Sequence, residues 1–206
     1  MKIKAMLTAG LMLIFAMFIA YQPVHAAGLT AAKEEVEGHA LVAGVNFGGM
    51  VPFGENIKDN FELGVPFSVV LKAPGLFAFG NFSIGAGIEA GFYTASGKNG
   101  GDKLTGIPFM LSGAIDLSTF VPEGMMLAAE VNLGLHSQKV GDDSYTNVAL
   151  VPGVCFGYKI MEGLNVIAKL RGAEILSGDD SVFGGTQEWI DFRVGVEYTL
   201  PVELPF

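Results

Sequence analysis

One cysteine, Cys155, stands in 206 residues. That excludes an intramolecular disulfide framework and any Cys-x-x-Cys metal site. Charge is scarce as well, at 16% of residues, and the balance is acidic, with a net charge of −9. The basic footprint that a nucleic-acid partner requires is missing. Beyond the first two dozen residues no apolar run approaches the ~20 residues of a membrane helix. Yet half of the residues are hydrophobic and the mean hydropathy is +0.47. A chain this apolar is not disordered, and it carries no collagen or coiled-coil period. Two readings remain: a soluble β protein with a large core, or a membrane β-barrel whose apolar residues are spread two apart.

The first residues form an export signal. Lys2 and Lys4 make a positive start, Leu7 to Ala20 is apolar sequence broken only by Thr8, and Pro23 ends the helix. Val24-His25-Ala26 offers a cleavage site after Ala26, and without a nearby cysteine the signal is not that of a lipoprotein. The expected division is a cleavable signal peptide at 1–26, a short N-terminal segment at 27–36, and one β domain at 37–206. Cleavage removes two lysines and no acid, taking the net charge from −9 to −11.

The rest of the chain alternates. Eight rows are apolar at every second position, over 41–47, 61–71, 82–92, 107–117, 127–135, 148–160, 164–170 and 190–200. This is the period of a strand with two unlike faces. The opposite parity collects eleven charges: Glu62, Lys72, Glu89, Asp116, Glu130, Lys159, Lys169, Arg171, Asp191, Arg193 and Glu197. The same parity is rich in glycine, including Gly64, Gly85, Gly87, Gly91, Gly134, Gly157 and Gly195. A solvated face has no need of small residues, whereas the interior of a narrow barrel does. The pattern therefore predicts charges inside and apolar rows outside: an all-β, eight-stranded antiparallel up-and-down transmembrane barrel.

The connections support this. Those at 48–60, 93–105, 137–147 and 177–188 are long and polar. Those at Ala73-Pro74-Gly75, Ser118–Gly124 and Met161-Glu162-Gly163 are short. Long loops at one end, with short turns and both termini at the other, is the outer-membrane arrangement. Phe47, Phe61, Phe92, Phe109 and Phe192 near one rim, and Phe156, Tyr158 and Tyr198 near the other, read as two aromatic girdles. The last row continues through Tyr198, Leu200, Val202 and Leu204 to a terminal Phe206. Such an ending resembles the assembly signal of bacterial outer-membrane barrels. Pro201 and Pro205 depart from the usual pattern, and the end of the chain is expected to leave the sheet there. With eight strands and this length, residues 37–206 resemble the small outer-membrane barrel family that includes the OmpA membrane domain, OmpX and OmpW. The resemblance implies an outer-membrane protein whose partners are membrane lipid and the barrel-assembly machinery. No peptidoglycan-binding domain is expected after the barrel, so the resemblance does not imply a wall-anchoring role.

Chemistry-bearing residues are few. One family of lipid A deacylases is an eight-stranded barrel with a His-x-Ser dyad. Here His136 and Ser137 are adjacent, so they point to opposite faces. The palmitoyl-transferring barrels use His, Asp and Ser near the outer rim. His39 sits at the wrong end for that chemistry, while His136 is expected near the outer end, facing inward. Gly141-Asp142-Asp143-Ser144 and Gly178-Asp179-Asp180-Ser181 repeat in two long loops, but turn formation accounts for them without a metal. Cys155 reads as a small inward residue. Glu89, Glu130, Lys169, Arg171, Arg193 and Glu197 form the candidate site, an interior charge cluster with a structural or gating role. The expected function is a non-enzymatic, monomeric outer-membrane barrel with no cofactor, a structural or surface-interaction role and a largely plugged interior. The alternatives are a narrow conduit for small or apolar molecules and a lipid-modifying barrel enzyme.

Overall fold

A computed structural model divides the chain into a segment of residues 1–37 and a unit of residues 38–206. It describes residues 39–54, 57–79, 82–176 and 185–204. The residues expected to form a signal peptide, 1–26, the segment 27–36 and Phe206 lie outside these, as does the second Asp pair. Eight strands follow in order: β1 (His39–Pro52), β2 (Phe61–Phe79), β3 (Phe82–Gly97), β4 (Leu104–Asp116), β5 (Met125–Val140), β6 (Asp143–Met161), β7 (Leu164–Leu176) and β8 (Gln187–Leu204). Each pairs antiparallel with the next, and β8 pairs with β1 to close the ring. Closure leaves no sheet edge, so backbone polar groups are satisfied within the wall and the outside can face lipid.

The two faces sort as the alternation predicts. Leu111 is 62% exposed and Phe109 54%, while their neighbours Met110 and, across the barrel wall, Glu130 and Asn132 are buried. Outside, Phe47 pairs with Phe67 and Phe67 with Phe92, so three phenylalanines run side by side across β1, β2 and β3. Phe156, Tyr158 and Tyr198 face outward nearer the termini.

Above the lipid-facing belt the pattern changes phase. At the loop end, Tyr93, Ala95, Leu104, Ala173, Ile175 and Trp189 point inward and are buried. Their strand neighbours Ser96, Thr105, Lys139, Glu174 and Glu188 point outward. Here the surroundings are water, so apolar side chains gain by facing the lumen, where they form a core with Met50, Ile57 and Phe61. The strands consequently run farther than the apolar rows. Among the described residues, more than half of the sequence expected as long loops is strand: β5 and β6 are joined by Gly141-Asp142 alone, and β3 reaches Gly97.

Three expectations change for local reasons. A register shift between Phe61 and Gly64 turns Phe61 into the lumen and Glu62 out to solvent, so Phe61 leaves the girdle and Glu62 the interior. Ala73-Pro74-Gly75 is not the β2–β3 turn. It is a bulge, with Gly75 at φ 68°, after which the hairpin resumes and pairs Phe77 with Ile84 and Phe79 with Phe82. The chain also stays in the sheet past Pro201. The partner sequence steps from Leu41–Leu200 to Ala40–Glu203, so the bulge falls where proline has no N–H to give.

Candidate functional site

The lumen is built from side chains that need room, and glycine supplies it. Arg171 lies opposite Gly153, Arg193 opposite Gly48, Glu197 opposite Gly44, Lys72 opposite Gly87 and Tyr93 opposite Gly106 in the strand registers. A Cβ at Gly153 would come within 2.6 Å of Arg171 Cγ, and one at Gly44 within 2.7 Å of Glu197 Cγ. Each of these five side chains thus lies across a glycine of the neighbouring strand.

Of the eleven charges on the inward parity, Glu62, Asp116 and Lys159 are exposed, the last two at the rim. Eight remain inside, four acids and four bases, in two groups that are each neutral. The group nearer the loops is Glu89, Asp191, Arg171 and Arg193. Arg171 donates to Glu89 at 2.9 Å and to Asp191 at 2.7 Å. Arg193 donates to Glu89 at 2.8 Å, to Asp191 at 3.0 Å and to Ser68 at 2.7 Å. The group nearer the termini is Lys72, Lys169, Glu130 and Glu197. Lys169 donates to Glu130 at 3.0 Å, while Lys72 bridges Glu130 at 3.1 Å and Glu197 at 2.6 Å. All six residues singled out from the sequence fall in these groups. Lys72 and Asp191 complete them, although sequence had given them no role beyond their parity.

Parity places Ser112 and Asn132 on the inner face, but sequence reading missed the hydrogen-bonded clusters that the uncharged lumen side chains form. Ser112 donates to Asn132, and Asn132 in turn to the Val151 carbonyl at 3.3 Å. Farther toward the loops, Gln138 and Gln187 exchange hydrogen bonds at 2.9 and 2.8 Å. Gln138 also donates to Tyr93 at 2.6 Å and accepts from Asn147 at 2.6 Å. The signal for these was available in the inward parity of β5, where Glu130, Asn132, His136 and Gln138 follow at even positions.

His136 faces inward near the loop end, as expected, and is 4% exposed, while Ser137 faces out. Its ring stands 5.8 Å from that of Tyr93, and it lines a void of about 10 Å³ beside the arginine group. Among the described residues, no serine, threonine or cysteine lines that void. The side chain of His39 lies outside the described residues. Cys155 is inward and buried. Asp142 and Asp143 are exposed, and among the described residues no cluster of His, Cys, Asp and Glu is placed to hold a metal ion. Of the terminal row, Tyr198 and Val202 face outward, Leu200 is half-buried, and Leu204 ends β8.

A closed antiparallel barrel with an apolar exterior and paired charges inside is a transmembrane β-barrel of the bacterial outer-membrane type. The chain has the fold of the small eight-stranded outer-membrane barrels. Among solved structures it is similar to Neisserial surface protein A, with 14% identity, 80% of this chain and 98% of that one covered, and a TM-score of 0.52. A major outer-membrane protein of Thermus thermophilus matches at 12% identity, 80% and 100% coverage and a TM-score of 0.48. OprG of Pseudomonas aeruginosa matches at 12% identity, 80% and 97% coverage and a TM-score of 0.43. No protein-family model and no curated protein matches the sequence.

Proposed function

We propose that the chain is a non-enzymatic, monomeric outer-membrane barrel that acts as a closed structural or surface-interaction element, with termini in the periplasm and hairpin tips outside. The observation that carries this reading is the filling of the lumen. Two neutral groups of buried ion pairs stand in series, followed by an amide cluster and an apolar core that includes Trp189 and Ile57. An eight-stranded barrel has room for little more than its own side chains, and opening a path here requires separating desolvated charges. The reading also takes membrane lipid and the barrel-assembly machinery as partners. Its test is single-channel recording in planar bilayers. Negligible conductance is expected. A steady, large, weakly selective conductance would overturn it in favour of a narrow conduit. Incubation with lipid A checks the remaining alternative, since release or transfer of an acyl chain would make the barrel an enzyme.

A further inference from the structure

The barrel is solid at the loop end and hollow at the end that carries the termini. There a cavity of about 120 Å³ is enclosed by the inner wall. The sequence explains the difference. Inward positions near the termini hold Gly85, Ala114, Ala128 and Cys155, where those near the loops hold Tyr93 and Trp189. Val42 adds apolar wall. The floor is polar and consists of Lys72, Glu130 and Glu197, and Ser112, Asn165 and the exposed Asp116 also line the cavity. Beyond the floor come Lys169 and the arginine group, so the cavity is a blind cup.

We propose that this cup is a binding pocket for a small neutral amphiphile, an apolar body bearing one hydroxyl or amide group. Its size sets the body: an apolar cavity of ~150 Å³ holds benzene, so this smaller one encloses about five non-hydrogen atoms, and the far end of a longer body stays at the mouth of the cup. Its charge sets the head. Lys72 and Lys169 balance Glu130 and Glu197. A carboxylate would arrive beside two carboxylates, and an ammonium would compete with Lys72. Either leaves a buried charge unneutralised, which is strongly unfavourable. A neutral acceptor fits, because an ammonium has three N–H groups and Lys72 directs its charge at two carboxylates. The Lys72 side chain keeps 16% exposure where that of Lys169 keeps 1%, so the free donor is within reach of the cup. This inference is independent of the closed-barrel reading, since a blind cup binds without conducting.

The experiment uses the full mature chain refolded in detergent micelles and ligand-observed saturation-transfer NMR with 1-hexanol, hexanoate and hexylammonium as probes. Saturation transfer to 1-hexanol is expected for the wild type and lost in Ala128→Leu, which fills the cup. Partition into micelles is common to both samples and cancels. The two ionic probes are expected to bind at least about tenfold more weakly, the ratio that 1.4 kcal/mol produces. Equal transfer in wild type and Ala128→Leu would overturn the pocket, and ionic probes binding as well as hexanol would overturn the neutral head. Ala114→Leu serves if Ala128→Leu does not fold. Cys155 gives a readout in the wild type alone: 1-hexanol should slow its reaction with methyl methanethiosulfonate in proportion to occupancy, and an unchanged rate at saturating hexanol would refute the assignment. Bilayer conductance tests the closed barrel separately, so the two readings fail independently.

Discussion

Replacing Glu89 by glutamine tests the interior charge groups most directly. The substitution keeps the shape of the side chain and removes one charge. Glu89 is 2% exposed and receives hydrogen bonds from both arginines, at 2.9 Å from Arg171 and 2.8 Å from Arg193. With it neutral, two guanidiniums share Asp191 alone, and a group that summed to zero carries one excess positive charge. Breaking a buried pair in this way costs about 3–5 kcal/mol, because the remaining charge is left desolvated. Water entering the lumen lowers that cost, so destabilisation and conductance should rise together. The stability is read from urea unfolding in phospholipid vesicles, with Trp189 as the reporter. It is the chain's one tryptophan and is 1% exposed. The double variant Glu89→Gln/Arg193→Gln restores neutrality, and its stability should recover toward wild type in a double-mutant cycle. A Glu89→Gln barrel within about 0.5 kcal/mol of wild type, the usual range of inconsequential surface changes, would refute the reasoning.

Arginine in place of Leu111, which is 62% exposed, should cost about 2–4 kcal/mol near the membrane midplane. In place of Ser112, on the inner face, arginine should instead alter packing or conductance, and equal tolerance at the two positions in vesicle unfolding would contradict the inside–outside assignment. Gly153→Ala sets a methyl group against Arg171 Cγ at 2.6 Å and the Leu170 carbonyl at 2.7 Å. It should destabilise by about 1–3 kcal/mol, measured as a lowered urea midpoint. Deleting Phe206 should slow insertion by the assembly machinery in a pulse-chase experiment far more than it lowers the stability of the assembled barrel. Insertion at the normal rate would remove the assembly-signal role.

The membrane-facing part of the fold was legible because lipid and lumen impose opposite demands on alternate residues. Leu111 and Ser112, or Val131 and Asn132, announce their faces by type alone. That contrast ends with the lipid. At Gln138, Lys139 and Val140 the outer face becomes polar and the inner face amide or apolar, so the rows read as loop although β5 continues to Val140. Bulges are invisible to a period of two, which is why Phe61 and Glu62 were placed on each other's faces. The charges of the site were legible by parity, but their division into two neutral groups was not. It depends on which strands meet across the lumen, as when Glu89 of β3 reaches Arg193 of β8. The hollow near the termini was written in Gly85, Ala114 and Ala128, whose smallness sequence could equally assign to a crowded lumen.

The interior pairs also impose an order on biogenesis. β7 and β8, translated last, contribute five of the eight lumen charges, Lys169, Arg171, Asp191, Arg193 and Glu197, while their partners Lys72, Glu89 and Glu130 come from β2, β3 and β5. Until the final hairpin docks, Glu89 lacks both of its arginine partners and Glu130 lacks Lys169. Sealing the seam between β1 and β8 is therefore also the moment of neutralisation. A half-closed sheet would hold uncompensated charge over the bilayer interior, which disfavours stalled intermediates. On this electrostatic ground, completed cylinders are favoured over open sheets.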